Sequence, residues 1–173
     1  MTPEDGQAQT SYRSGLILSE KQLLMISNIL QRLIEMIPAR FVLLIENSGQ
    51  IVQVKGDLGQ SDLAVIGSLI AADLAASQEI ARLSGEYQDF QMIMREGTST
   101  NIFISEAGKS LSFMVSFRKE TPLGWARKLI QKTAEEIAAI SIHTDSSTPA
   151  KDQVSKGELP DLFNDALDQI WKA

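Results

Sequence analysis

The sequence predicts an α/β (α+β) domain with the element order αββαβββα, and three observations carry that prediction. Helical and strand periodicities alternate along one continuous stretch of chain. A bare apolar run at 41–45 is too short for a helix and too continuous for a half-exposed strand, so both its faces need cover. The 173 residues are 43% apolar, with 11 Gly and 5 Pro, which suits one ordinary core and excludes collagen-like, low-complexity and wholly disordered chains.

Ser19, followed three residues later by Gln22, forms a capping-box pattern. Leu23, Ile26, Ile29, Leu30, Leu33 and Ile37 then recur at helical spacing until Pro38 stops the run. Residues 40–46 form the first strand, and Asn47-Ser48-Gly49 turns the chain into a second through Ile51, Val52, Val54 and Lys55. Ser61 is the expected N-cap of a second helix over 61–84, with Leu63, Ile66, Ile70, Leu74 and Ile80 broadly on one side and Gly85 as its stop. Three strands follow at 90–95, 101–105 and 111–118. The last alternates, Leu111, Phe113, Val115 and Phe117 pointing one way and Ser112 and Ser116 the other. Pro122 suits the first turn of the last core helix, whose expected buried face is Trp125, Leu129, Ile130, Ile137 and Ile140.

The flanks differ in composition. Residues 1–15 are polar and read as a disordered N-terminal tail, and 16–143 make the single globular domain. Residues 144–157 are rich in Ser, Thr, Asp and Lys and read as a flexible linker. Residues 158–173 turn amphipathic again: Leu159, Leu162, Phe163, Ala166, Leu167 and Ile170 fall on one side of a helix and Asp161, Asp165 and Asp168 on the other.

A net charge of −6 and a pI near 4.8 disfavour nucleic acid and anionic membrane surfaces, because both need clustered cations. Without cysteine there is no disulfide, thiolate nucleophile or thiolate metal site, and a reducing compartment, the cytoplasm, is expected. The N-terminus lacks the basic start and apolar core of a signal peptide, and no transmembrane span or membrane insertion is expected.

Catalytic chemistry finds no foothold. The sole histidine, His143, closes the last core helix beside the linker, where no nucleophile pairs with it. Gly108-Lys109-Ser110 mimics the end of a phosphate-binding loop, yet Phe103 stands where its first glycine belongs and the segment joins two strands. Adjacent carboxylates such as Glu135 and Glu136 do not face each other on a helix. No catalytic residue, cofactor or metal site is expected.

Two features carry information instead. On the second helix Gly67, Ser68, Ala71, Ala72, Ala75 and Ala76 form a face of small side chains, which lets another backbone come close. That face is either packed within the monomer or exposed as a contact surface. The amphipathic C-terminal segment is too short to be a stable helix alone, so it docks either on its own domain or on a partner.

The order αββαβββα, the Asn47-Ser48-Gly49 hairpin, the alanine-rich helix closing at Gly85 and the Leu123-Gly124 start of the last helix together resemble the roadblock / dynein light chain family, over 19–142. Within it the chain looks most like the bacterial MglB type, homodimeric regulators of a small Ras-like GTPase of the MglA type. The resemblance implies a roadblock/profilin-like three-layer sandwich, a five-stranded antiparallel sheet with helices on both faces. It implies a homodimer joined through the middle strand in chain order, here Phe90, Gln91, Met92, Ile93, Met94 and Arg95. It also implies a GTPase-binding platform at Ser68, Ala71, Ala72, Ala75 and Ala76. Such regulators act on GTPase-activating or nucleotide-exchange steps by holding the switch loops, without an active site of their own. Leu162, Phe163, Leu167, Ile170 and Trp171 are the corresponding candidates for a second partner contact. The alternative is a small-molecule sensor of the GAF or PAS kind, built on a similar sheet.

Overall fold

The computed structural model describes residues 8–85 and 92–145, the last four as backbone. Two short strands, β1 (Gln9–Ser11) and β2 (Ile17–Ser19), precede helix α1 (Glu20–Met36). Strands β3 (Ala39–Glu46) and β4 (Ile51–Gly56) lead to helix α2 (Leu63–Ser84). Strands β5 (Met92–Glu96), β6 (Thr100–Glu106) and β7 (Leu111–Arg118) and helix α3 (Leu123–Asp145) follow. From α1 onward the order is the expected αββαβββα.

The five strands β3 to β7 form one antiparallel sheet in the order β4-β3-β7-β6-β5. Period-two alternation sorts their side chains to two faces. Val42 and Leu44 of β3 join Leu111, Phe113, Val115 and Phe117 of β7 in the larger core beneath α1 and α3. Leu43 and Ile45 join Ile104 and Met114 in a smaller cluster under α2. Helices therefore lie on both faces of the sheet, as a three-layer sandwich requires.

The starting signal of α1 works as read: Ser19 Oγ accepts from the Gln22 N–H, and the Gln22 side chain accepts from the Ser19 N–H at 2.9 Å. The helix stops at Met36 because Pro38 drives Ile37 into an extended conformation, with ψ at 133°. On α2 the expected cap is displaced by one residue. Asp62, not Ser61, accepts from the N–H groups of Ala64 and Val65, whereas Ser61 Oγ donates to the Leu58 carbonyl. Gly85 closes α2 in the left-handed conformation, as read.

Two further readings change. Residues 8–15, expected within a disordered tail, form most of the β1–β2 hairpin, with Gly15 in its turn at φ 86°. Tyr12, Leu16 and Leu18 are buried in the larger core, which offsets the ordering cost that a polar composition predicts to be prohibitive. Trp125, expected inside, is 42% exposed, because Ala126 and Ile130 supply the inward face of α3 at that level.

Candidate functional site

Helix α2 touches its sheet through a narrow line. Only Gly67, Ile70 and Leu74 are buried along its 22 residues. Gly67 lies against the backbone of Gly49 in the β3–β4 turn, where a Cβ on Gly67 would collide with the Gly49 carbonyl oxygen. In the other direction, a Cβ on Gly49 would sit 2.8 Å from Ser68 Cα, and Gly49 itself holds φ 88°. Glycine at both positions permits the close approach that seats the helix.

The expected platform residues divide accordingly. Ser68, Ala72, Ala75 and Ala76 are exposed and Ala71 is half-buried, so most of the small-residue face points away from the fold. Larger apolar residues that the sequence reading missed share this outward side. Val65 is 52% exposed, Leu69 63%, Ile80 67% and Leu83 72%, although Ile80 was expected inside. Val65, Leu69, Ala72, Ala76, Ile80 and Leu83 follow three- and four-residue steps. A second helical phase in the sequence was the available signal for this stripe.

Beside α2, the uncovered part of the sheet forms an apolar trough of about 680 Å³ floored by Phe41, Ile102, Ile104 and Met114. At its rim Arg95 Nη2 of β5 reaches both oxygens of Asp73 on α2, at 2.7 and 2.8 Å. The Asp73 carboxylate holds the Arg95 guanidinium above its ordinary pKa. On the other side of α2 a cleft of about 390 Å³ runs between Ala71, Ala75 and Gln78 and the turn residues Asn47 and Lys109. Asn47 Nδ2 donates to the Lys109 carbonyl at 2.5 Å, and the Gln78 amide donates to Glu106.

Among the described residues strand β5 is an edge of the sheet, paired only with β6. Its residues Met92, Ile93 and Met94 are half-buried and Arg95 is exposed. Phe90 and Gln91 lie outside the described residues, as do Leu162, Phe163, Leu167, Ile170 and Trp171. Gly108-Lys109-Ser110 sits in the turn between β6 and β7, Gly108 at φ 83°, and so has no helix to follow it. Among the described residues no three His, Cys, Asp or Glu side chains gather as metal ligands.

By length and composition alone α2 is long and apolar enough to cross a membrane, a test that the core helix of a folded domain also passes. Its seat through Gly67, Ile70 and Leu74 and its ion pair from Asp73 to the sheet are those of a helix packed in a folded domain.

This architecture is the roadblock fold. A roadblock domain from Streptomyces avermitilis matches it with a TM-score of 0.58 over 64% of this chain and 92% of its own, at 17% identity, a likeness of fold alone. Within that fold the chain is similar to MglB. The gliding protein MglB of Thermus thermophilus is 26% identical, with a TM-score of 0.66 over 73% of this chain and 95% of its own. Myxococcus xanthus MglB is 28% identical, with a TM-score of 0.61 over 66% of this chain and 93% of its own. No family model and no curated protein matches the sequence.

Proposed function

We propose that this chain is a homodimeric, non-catalytic regulator of a small Ras-like GTPase of the MglA type, modulating its hydrolysis or nucleotide exchange through the outward side of α2. One observation carries the reading: Ser68, Ala72, Ala75 and Ala76, flanked by Leu69 and Ile80, lie exposed as a low, apolar surface that no other element among the described residues covers. Exposed apolar area of this kind marks protein contact. The likeness to MglB supports the class of partner that the family resemblance implies.

Dimerisation through β5 is supported by its open hydrogen-bonding edge and by the apolar trough beside it, both of which a second copy would cover. One similar structure is an MglB with tetrameric arrangement. The C-terminal residues Leu162, Phe163, Leu167, Ile170 and Trp171 provide a second contact with the GTPase in this reading, and the cytoplasm is its compartment.

The test is co-elution with an MglA-type GTPase on a sizing column in its GDP form and with a GTP analogue. The regulator shifts the GTPase in one nucleotide state, and Ala72→Arg abolishes the shift. Equal binding by the variant would refute the platform.

A sensor of the GAF or PAS kind is the second reading, since 680 Å³ falls within the ~300–1,000 Å³ typical of ligand pockets. The trough is lined by apolar side chains and the Arg95–Asp73 pair, without the convergent polar groups that orient a small ligand. Protein contact is therefore the better supported.

A further inference from the structure

The seam between α1 and α3 has an apolar outer side without a partner among the described residues. Gln22, Met25, Ile29, Arg32 and Met36 follow at steps of three and four, so they form one row along α1. Two bonds identify this row as the side that meets α3. Gln22 Nε2 donates to the Ile140 carbonyl at 3.0 Å, and Arg32 pairs with Glu136. The facing row on α3 runs through Trp125, Leu129, Glu136 and Ile140. Ile29, Leu129 and Ile140 pack partly buried on the core, whereas Met25 and Met36 stay 46% exposed and Trp125 42%. Lys128 and Lys132, exposed one turn apart on α3, have no ion-pair partner among the described residues.

We propose that this seam is the docking site for the chain's own residues 158–173. Three observations choose that occupant. The segment's sequence gathers apolar residues on one side, which complements the exposed Met and Trp side chains, and its net negative charge, set mainly by Asp161, Asp165 and Asp168, draws it toward the two lysines beside them. The described chain ends at Asp145, little more than one helical turn past Ile140, and the bond from Gln22 puts that end of α3 beside the start of α1. From Asp145, the twelve residues 146–157 extend up to ~40 Å, whereas α3 with its 23 residues is only ~34 Å long, so the whole seam is within reach.

A tether of this length gives the segment an effective concentration of about millimolar at the seam, so modest apolar contacts suffice to hold it. While the segment is docked there, its apolar side is withheld from other proteins, so its contact with a GTPase requires release from the seam. Docking is a property of the chain alone and needs no GTPase.

Hydrogen exchange of the full chain tests it. Peptides from 158–173 are expected to exchange about tenfold or more slowly than unstructured chain. Lys128→Glu with Lys132→Glu returns them to the free rate, as does Trp125→Ala, while peptides of β3 and β7 keep their protection and so report an intact fold. Adding Asp161→Lys, Asp165→Lys and Asp168→Lys to the doubly reversed chain restores slow exchange. Free-rate exchange in the unaltered chain would overturn the proposal. Protection that survives the seam variants, or that disappears on dilution, would overturn it too, by placing the segment elsewhere or on another copy.

Discussion

On one face of the sheet two helices and the β1–β2 hairpin close over a core holding Phe113, Phe117, Leu30 and Ile130, whereas on the other a lone helix leaves Phe41 and Ile102 only half-covered. The difference is one of width. Five strands make a sheet ~20–24 Å across, and a helix with its side chains covers ~10–12 Å. Two helices side by side match the sheet; one cannot. Among the described residues the first face is therefore closed, and the second keeps apolar area exposed.

Two leucines measure that contrast most directly. Leu30→Ala, in the closed core, is expected to cost about 4 kcal/mol in denaturant unfolding, and Leu74→Ala, under α2, about 2–3 kcal/mol, because the thinner layer collapses more easily around the lost atoms. Equal costs would break the comparison. Gly67→Ala sharpens it at the backbone. The added methyl must push α2 away from Gly49, a cost of ~1–3 kcal/mol that the better helix propensity of alanine only partly offsets, leaving a loss of about 1–2 kcal/mol by thermal melting.

Ala72→Arg, by contrast, is expected to change stability by no more than about 0.5 kcal/mol, since the site is exposed, and so to report on binding alone. The smallest effect belongs to the exposed pair on α2. Arg82 hydrogen-bonds to Glu79 and holds its carboxyl below the usual carboxylate range. A lowered native pKa stabilises the fold above the unfolded-state value, and that contribution fades as pH falls through the native one. Glu79→Gln should therefore slightly flatten the loss of stability on acidification below about pH 5, in a series of melts.

Much of this was legible in the sequence because local chemistry and tertiary packing agree there. The capping box at Ser19 and Gln22, Pro38 and the alternation in β7 each act within a few residues. The β1–β2 hairpin was hidden because Tyr12 stands alone among polar neighbours and gains its burial from residues distant in sequence. Trp125 and Ile80 were misplaced for a related reason. Periodicity marks an apolar face without saying whether the chain itself has enough sheet or helix to cover it. Ser68, Ala71, Ala72, Ala75 and Ala76 stand out in the sequence by their small size, and the larger apolar residues beside them were missed because they fall on a second phase of the same helix.

The contact between Gly49 and Gly67 also sets how α2 can move. The helix is clamped to the hairpin near its start, its last buried residue is Leu74, and beyond it Glu79, Ile80 and Arg82 to Ser84 are exposed while Ala81 is half-buried. It is a cantilever. A load applied at Ile80 or Leu83 would act far from the clamp, and among the described residues the hydrogen bond from Gln78 to Glu106 is the nearest strut to the sheet.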